Sequence, residues 1–403
     1  MFLSKKWNFK MKKPLWVYSA ALLMSSQFVS AIEVNGYFRT GMGGTDHGDM
    51  QECFKLTGAP SKYRLGNECE QYGEVFASQQ LAELSDHSKI NINGMVQFYN
   101  DYGKSLKFSG GSGYTRMNQI YLDWTNISFL NGGNFWAGRR YYNRNDINMS
   151  DFFYWNESGT GFGIDHYKLD NFALSYVFSR KDNLFQDKYI SKHDFTVSDV
   201  KLSERNKLNF GVSYIDHDND GWAFTIQNIT SNVFNGKNTV VFQYGEGSGV
   251  GLGYTGDVSL SRDNTAIRML DVLDWQSPNK VLNGQAQLLY QINDYEQQED
   301  AKWLSVGTRT SYVVSDNFKL TGEIGYDQIK QGNETRDLTK ITFAPTFTLH
   351  GNGYNDRPEL RLYYTYAFWN AAEQRMRDFV NPGSSFYSTS NGSNIGIQLE
   401  HSW

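Results

Sequence analysis

From Gly36 to the closing tryptophan the chain repeats one signal: apolar and polar residues alternate with a period of two. In KLNFGVSYID, Leu208, Phe210, Val212 and Tyr214 fall on one face, and Asn209, Gly211 and Ser213 on the other. The turn-forming run HDNDG follows, and then Trp222, Phe224 and Ile226 alternate with Ala223, Thr225 and Gln227. Successive side chains of a strand leave the backbone on opposite sides, so this is the pattern of two antiparallel strands joined by a turn. The same alternation places Ile90, Ile92, Val96 and Phe98 together, and Phe172, Leu174, Tyr176 and Phe178 together. It recurs in GQAQLLYQI, KLTGEIGYDQ, KITFAPTFTL and ELRLYYTYAFW, with Gly, Asn, Asp and Ser clusters between the runs.

An alternating strand has one apolar face, and the fold depends on what that face meets. A soluble sandwich buries it between two sheets. A transmembrane barrel turns it to lipid and keeps the polar face around water. The polar faces here are large and carry Gln, Asn, Asp and Arg, aromatics gather near strand ends, and no linker interrupts the pattern. The last strand, IGIQLEHSW, sets Ile395, Ile397, Leu399 and Trp403 in one register, with His401 as an interruption. These features favour an all-β transmembrane antiparallel barrel, whose closure removes the sheet edges that a bilayer forbids. At roughly 20 residues per strand and connection, the length accommodates about 16 to 18 strands, enough to leave an aqueous channel.

The first 31 residues read as a secretory signal peptide. Five lysines precede a short apolar run from Leu15 to Met24, and Val29-Ser30-Ala31 supplies small residues for cleavage. A single domain then spans 32–403. Removing the leader takes away five lysines and no acids, so 33 basic residues face 43 acidic ones and the net charge moves from −5 to −10. That balance makes the chain a poor nucleic-acid binder. Cys53 and Cys69 are the two cysteines, and an exported chain favours their pairing.

Two motifs mimic known sites. Asp216 to Gly221 resembles the start of a calcium loop, but Gln227 stands where the closing Glu is needed and lies in a strand. The run from Gly251 to Gly256 fits GxGxxG, yet no helix follows it, so it reads as a loop. No nucleophile elbow or metal-ligand spacing points to an enzyme, and no cofactor is implied.

The segment GRRYYNRNDINMSDFFYW from Gly138 gathers arginines, acids and rings with almost no aliphatic residues. Ring faces stack on the C–H face of a sugar, while Arg and Asp/Glu exchange hydrogen bonds with its hydroxyls. Weak binding repeated along a path is what facilitated diffusion requires.

With these residues the chain resembles the maltoporins, the sugar-specific porins of bacterial outer membranes. The resemblance rests on GYFRTGMG at Gly36, GAPSKYRLGNECEQYGE from Gly58 to Glu74, the segment from Trp136 to Gly163, and RPELRLYYTYAFW near the end. It implies an 18-stranded barrel, a homotrimer, an inward-folded third loop, and an aromatic slide beside an ionic track. By motif match Tyr37 and Tyr72 take slide positions, and Tyr102 stands where the family commonly has a tryptophan donated by the neighbouring subunit. Arg39, Arg64, Glu74, Arg116, Arg144, Asp146 and Asp151 take ionic-track positions, and Cys53 and Cys69 match a loop disulfide.

Parity supports part of this. Val34 and Phe38 share the lipid face, so Tyr37 and Arg39 point inward, and Tyr72 and Glu74 lie opposite Val75. The chain also departs from the family. Phe153 replaces a constriction tyrosine, Asn148 stands where a histidine is common, and the ending HSW lacks a second tryptophan. Without their charged neighbours Tyr37 and Tyr72 would read as girdle aromatics. The resulting expectation is a multi-pass outer-membrane channel for maltodextrin-like oligosaccharides. The competing readings are a general diffusion porin and a surface receptor or adhesin barrel.

Overall fold

The computed structural model describes residues 31–180, 190–349, 351 and 353–403. The leader expected at 1–31 therefore lies outside the described residues, apart from Ala31.

The chain forms strands β1 (Glu33–Thr45), β2 (Glu70–Glu83), β3 (Lys89–Asp101), β4 (Gly113–Ile127) and β5 (Gly133–Arg140). A small hairpin of β6 (Asn145–Ile147) and β7 (Phe152–Trp155) follows, paired only with itself. Next come β8 (Gly159–Lys168), β9 (Ala173–Arg180), β10 (Ser191–Ser203), β11 (Asn206–Asp216), β12 (Gly221–Val233) and β13 (Gly236–Glu246). The series continues with β14 (Thr265–Gln276), β15 (Leu282–Asp294), β16 (Ala301–Ser315), β17 (Phe318–Gln331), β18 (Glu334–Thr348) and β19 (Glu359–Trp369). Helix α1 (Ala371–Val380) and β20 (Asn391–Ser402) complete the chain. Every strand but β6 and β7 joins one 18-stranded antiparallel sheet, which closes where β1 pairs with β20. The larger of the two expected strand numbers is the one observed.

The two faces of the sheet differ in polarity. Val34, Val75, Val96, Val212, Leu288, Ile341 and Phe343 are exposed on the outside. Gln97, Gln227, Gln243, Gln285, Arg268 and Arg309 are buried inside. A water-soluble sheet would show the reverse. An apolar exterior around a hydrogen-bonded polar interior fits a barrel whose outside meets lipid. Among the described residues no helix is long and apolar enough to cross a membrane, so strands alone could do so.

The two ends differ. One carries mostly short turns, such as 204–205, 234–235 and 316–317, and the other carries long segments at 46–69, 141–158, 247–264 and 370–390. The HDNDG run makes a tight connection from β11 to β12, where Arg262 binds the Asp220 carboxylate at 2.7 Å. Helix α1 was not expected from the alternation. Asn370 caps it by accepting from the Glu373 N–H at 2.9 Å, relieving one of the unpaired N–H groups of its first turn.

The long segments dock on the inner wall. Tyr63 lies against Gly307 and Gly325 on β16 and β17, where any side chain would collide with its ring. Its hydroxyl meets Ser305 Oγ at 3.0 Å. Lys340 donates to the Leu65 carbonyl at 2.7 Å, and the Leu65 N–H donates to Glu323 at 3.0 Å. Cys53 and Cys69 are bonded to each other and close the base of this first segment.

Candidate functional site

Five elements build one cavity of about 320 Å3 inside the barrel: β1, β2, β3, the first long segment (46–69) and the segment that carries β6 and β7. Its lining includes Tyr37, Tyr72, Arg39, Arg64, Glu74, Arg144, Asp151 and Phe153, all expected from the sequence. Glu70 and Tyr99 also line it.

The strands supply one wall through their parity. Tyr37 and Arg39 leave β1 on the inner side, and Glu70, Tyr72 and Glu74 leave β2 likewise. The Tyr37 and Tyr72 rings stand 6.0 Å apart, tilted by 58°. The Tyr72 hydroxyl donates to the Glu74 carboxylate and accepts from Gln97 Nε2 at 2.7 Å. Arg39 lies over the Tyr72 ring at 5.6 Å and pairs with Glu68 at 3.0 Å and Glu70 at 2.5 Å.

The segment 141–158 supplies the facing wall, held by the inner side chains of β12 to β16. Gln227 Nε2 donates to the Tyr154 hydroxyl at 2.6 Å, and Gln243 Nε2 donates to the Tyr154 carbonyl at 2.9 Å. The Met149 N–H donates to Gln285 at 2.9 Å, and the Ser150 hydroxyl to Gln287 at 2.7 Å. Trp155 packs where Gly211 leaves room for its ring. Phe153 offers its face to Arg144, whose guanidinium lies 4.2 Å from the ring centroid and 4.0 Å from that of Tyr141. The cavity thus presents rings and charges of both signs to the same water.

Arg64 joins the two walls. It donates to Glu68 at 2.5 Å, to the Asn148 carbonyl at 3.3 Å and to the Tyr37 hydroxyl at 3.2 Å. Glu68 is the carboxylate at the centre of this cluster. Burial opposes its charge, but Arg39, Arg64 and Lys62 outweigh burial and hold its carboxyl well below the usual carboxylate range.

Three of the expected residues lie elsewhere. Asp146 lines a neighbouring cavity of about 260 Å3 with Asn148, Tyr154, Asp274 and Gln285. Its carboxyl is pushed up by burial and then by the nearby Asp151 carboxylate. Arg116 stacks on Tyr114 at 4.2 Å and donates to Gln97 at 3.3 Å, so it reaches Tyr72 only through that amide. Tyr102 is 4% exposed and tucked against Gly41 of its own first strand. This placement within one chain differs from a ring offered across a subunit boundary.

Other residues at or near the site carry a weaker signature in the sequence. Glu70 shares the parity of Tyr72 and Glu74, and Tyr99 that of Gln97, so both were readable. Tyr354 was not, because it sits in the connection between β18 and β19, where alternation stops. Its hydroxyl approaches Asn148 Oδ1 and Gln285 Oε1, each at 3.4 Å, so the turn end of the barrel reaches the β6–β7 segment.

A model of the LamB porin family matches residues 32–403. Among solved structures, OccK9 (OpdG) of Pseudomonas aeruginosa is similar with a TM-score of 0.55 and 10% identity, covering 93% of this chain and 99% of that one. OccAB1 of Acinetobacter baumannii is similar with a TM-score of 0.53 and 13% identity, covering 94% and 98%. At such identities these likenesses show the barrel fold alone.

Proposed function

The chain belongs to the LamB porin family, which makes it a porin of the bacterial outer membrane rather than an enzyme, and we propose that it is a sugar-selective one. In this reading it passes maltodextrin-like oligosaccharides down their gradient, without a cofactor. The supporting observation is the single cavity in which the Tyr37 and Tyr72 ring faces stand beside Arg39, Glu70, Glu74 and Arg144.

The mechanism follows from the two chemistries. A pyranose ring lays its C–H face on Tyr72 and then on Tyr37, a contact that tolerates sliding because it is not directional. Its hydroxyls exchange charge-assisted hydrogen bonds with the carboxylates and guanidinium groups opposite. Each position holds the sugar weakly, so the next is reached without a deep trap. The segment 141–158 acts as the constriction, with Phe153, Arg144 and Asp151 at its narrow point. Arg116 and Asp146 serve as flanking members of the ionic track, and Tyr102 as a support beneath the first segment. The porin works as a homotrimer.

A second reading is a general diffusion porin. One observation favours it: Arg39 and Arg64 already spend donors on Glu68 and Glu70, as charges that merely set a field would.

Ion current through the purified protein in a planar bilayer separates the two. Maltotriose and longer maltodextrins are titrated, with sucrose and an aryl glucoside as controls. Saturable block in thirds of the open current is expected from a sugar-binding trimer. Steady current with every sugar would leave the general porin in its place.

A further inference from the structure

The GxGxxG run serves as a scaffold for an aromatic side chain. The segment after β13 passes through a 3-10 turn, Gly247–Gly251, and folds back on itself, with the Gly256 N–H donating to the Ser248 carbonyl at 2.8 Å. The Asn156 N–H donates to the Gly253 carbonyl at 2.9 Å, and Gly253 sits so close to the Tyr154 carbonyl that no side chain would fit there. The loop is therefore fastened to the segment that carries β7, and it holds out Tyr254, which is 52% exposed.

Tyr254 does not stand alone. The connection after β15 carries Tyr295, and both rings line one cavity of about 690 Å3 at the long-segment end of the barrel. Gln291, Asn293, Gln298 and Asp257 line it as well. Two of these amides are held in place. Arg268 donates to Gln291 Oε1 at 2.8 Å, and Gln291 Nε2 donates to Asn293 Oδ1 at 2.8 Å. None of these residues belongs to the Tyr37–Tyr72 cavity, which β1, β2 and β3 build with the segments 46–69 and 141–158.

Two phenol rings beside fixed amides and a carboxylate match a pyranose, with an apolar face for stacking and a rim of hydroxyls for exchange. The cavity is too wide to grip a sugar on all sides, which suits transient holding. We propose that Tyr254 and Tyr295 form a capture site for the terminal ring of an oligosaccharide at the loop-side mouth, upstream of the Tyr37–Tyr72 pair. The proposal rests on the sugar-channel reading. A captured ring is already aligned with the channel, and alignment is the step that most reduces encounter rates.

The test measures sugar association with single channels from each side of the bilayer, using maltohexaose and channels inserted in one orientation. Tyr254→Ala is expected to lower the association rate from the loop side about fivefold, the effect of losing one stacked ring. Its association rate from the turn side and its open conductance stay at parent values. Tyr254→Phe keeps the ring and keeps the parent rate. A loop-side rate in Tyr254→Ala equal to the parent's would overturn the capture site and leave the sugar channel standing. A parent channel that no sugar blocks from either side overturns both.

Discussion

The hydroxyl of Tyr37 donates to the carboxylate of Glu400 at 3.0 Å, joining the first strand of the barrel to the last. It also accepts from Arg64, so the ring nearest the seam is fixed from two directions. Tyr72 is fixed from its own strand by Glu74 and from β3 by Gln97. Two rings held this firmly need no rearrangement to meet a sugar, and less ordering cost falls on binding.

The first prediction separates ring from hydroxyl. Tyr72→Ala is expected to weaken sugar block about tenfold while open conductance stays nearly unchanged. Tyr37→Phe keeps its stacking face and should retain block within about twofold of the parent. Titration of ion current with maltotriose checks both. Parental block in Tyr72→Ala would remove that residue from the sugar path.

Phe153 invites the opposite experiment. Its ring already lies beneath the Arg144 guanidinium, with only a hydroxyl missing at the narrow point. Phe153→Tyr is expected to lengthen sugar residence about fivefold, the worth of one net hydrogen bond. Current noise under partial block measures that residence time directly.

Glu68 sets a pH dependence. Its carboxyl is held low in the folded protein, so its stabilising effect is complete above the unfolded value of about 4.3 and declines as pH falls toward the folded one. Glu68→Gln removes the carboxylate that Arg39 and Arg64 share, leaving Arg39 with Glu70 alone, and should cost about 3 kcal/mol at pH 7. The gap between variant and parent should narrow steadily below about pH 4. Thermal unfolding in detergent across pH reads it, and a gap that stays constant down to pH 2 would contradict the ion-pair account.

Glu157 runs the other way. Burial, followed by the Asp194 carboxylate, pushes its carboxyl up to about 8, against the pull of Lys192. A raised folded-state value means stability that is present below the unfolded value of about 4.3 and lost as pH rises through 8. Glu157→Gln keeps the partners Trp155 and Thr196 within reach without the charge. It should stay closest to the parent at pH 5 and exceed it increasingly as pH rises toward 9. Equal stability of the two at pH 9 would show that Glu157 carries no such burden.

Where the strand pattern held, the sequence was legible. Parity alone sent Tyr37, Arg39, Tyr72 and Glu74 inward and Val34 and Val75 outward, because a pleat leaves no other choice. Parity could not choose between 16 and 18 strands, since a count depends on closure and not on any single strand. It also said nothing inside the connections. The path of residues 141–158 depends on amides from β12, β13 and β15, far off in the sequence, and the approach of Tyr354 to Asn148 depends on a turn that breaks the alternation. The seclusion of Tyr102 beneath its own chain follows from the absence of a side chain at Gly41, which only becomes visible once the two are neighbours.

Gly36 and Trp403 exchange backbone hydrogen bonds of 3.0 and 3.1 Å at the seam. The partner of the first strand is thus the strand farthest from it along the chain. Until it arrives, both margins of the sheet have unmet donors and acceptors, the condition that invites pairing with stray chains. Loss of β20 leaves β1 and β19 with facing edges whose donors and acceptors have no partner. Closure therefore waits for β20, and an escort that shields those margins until then would have work to do on every molecule made.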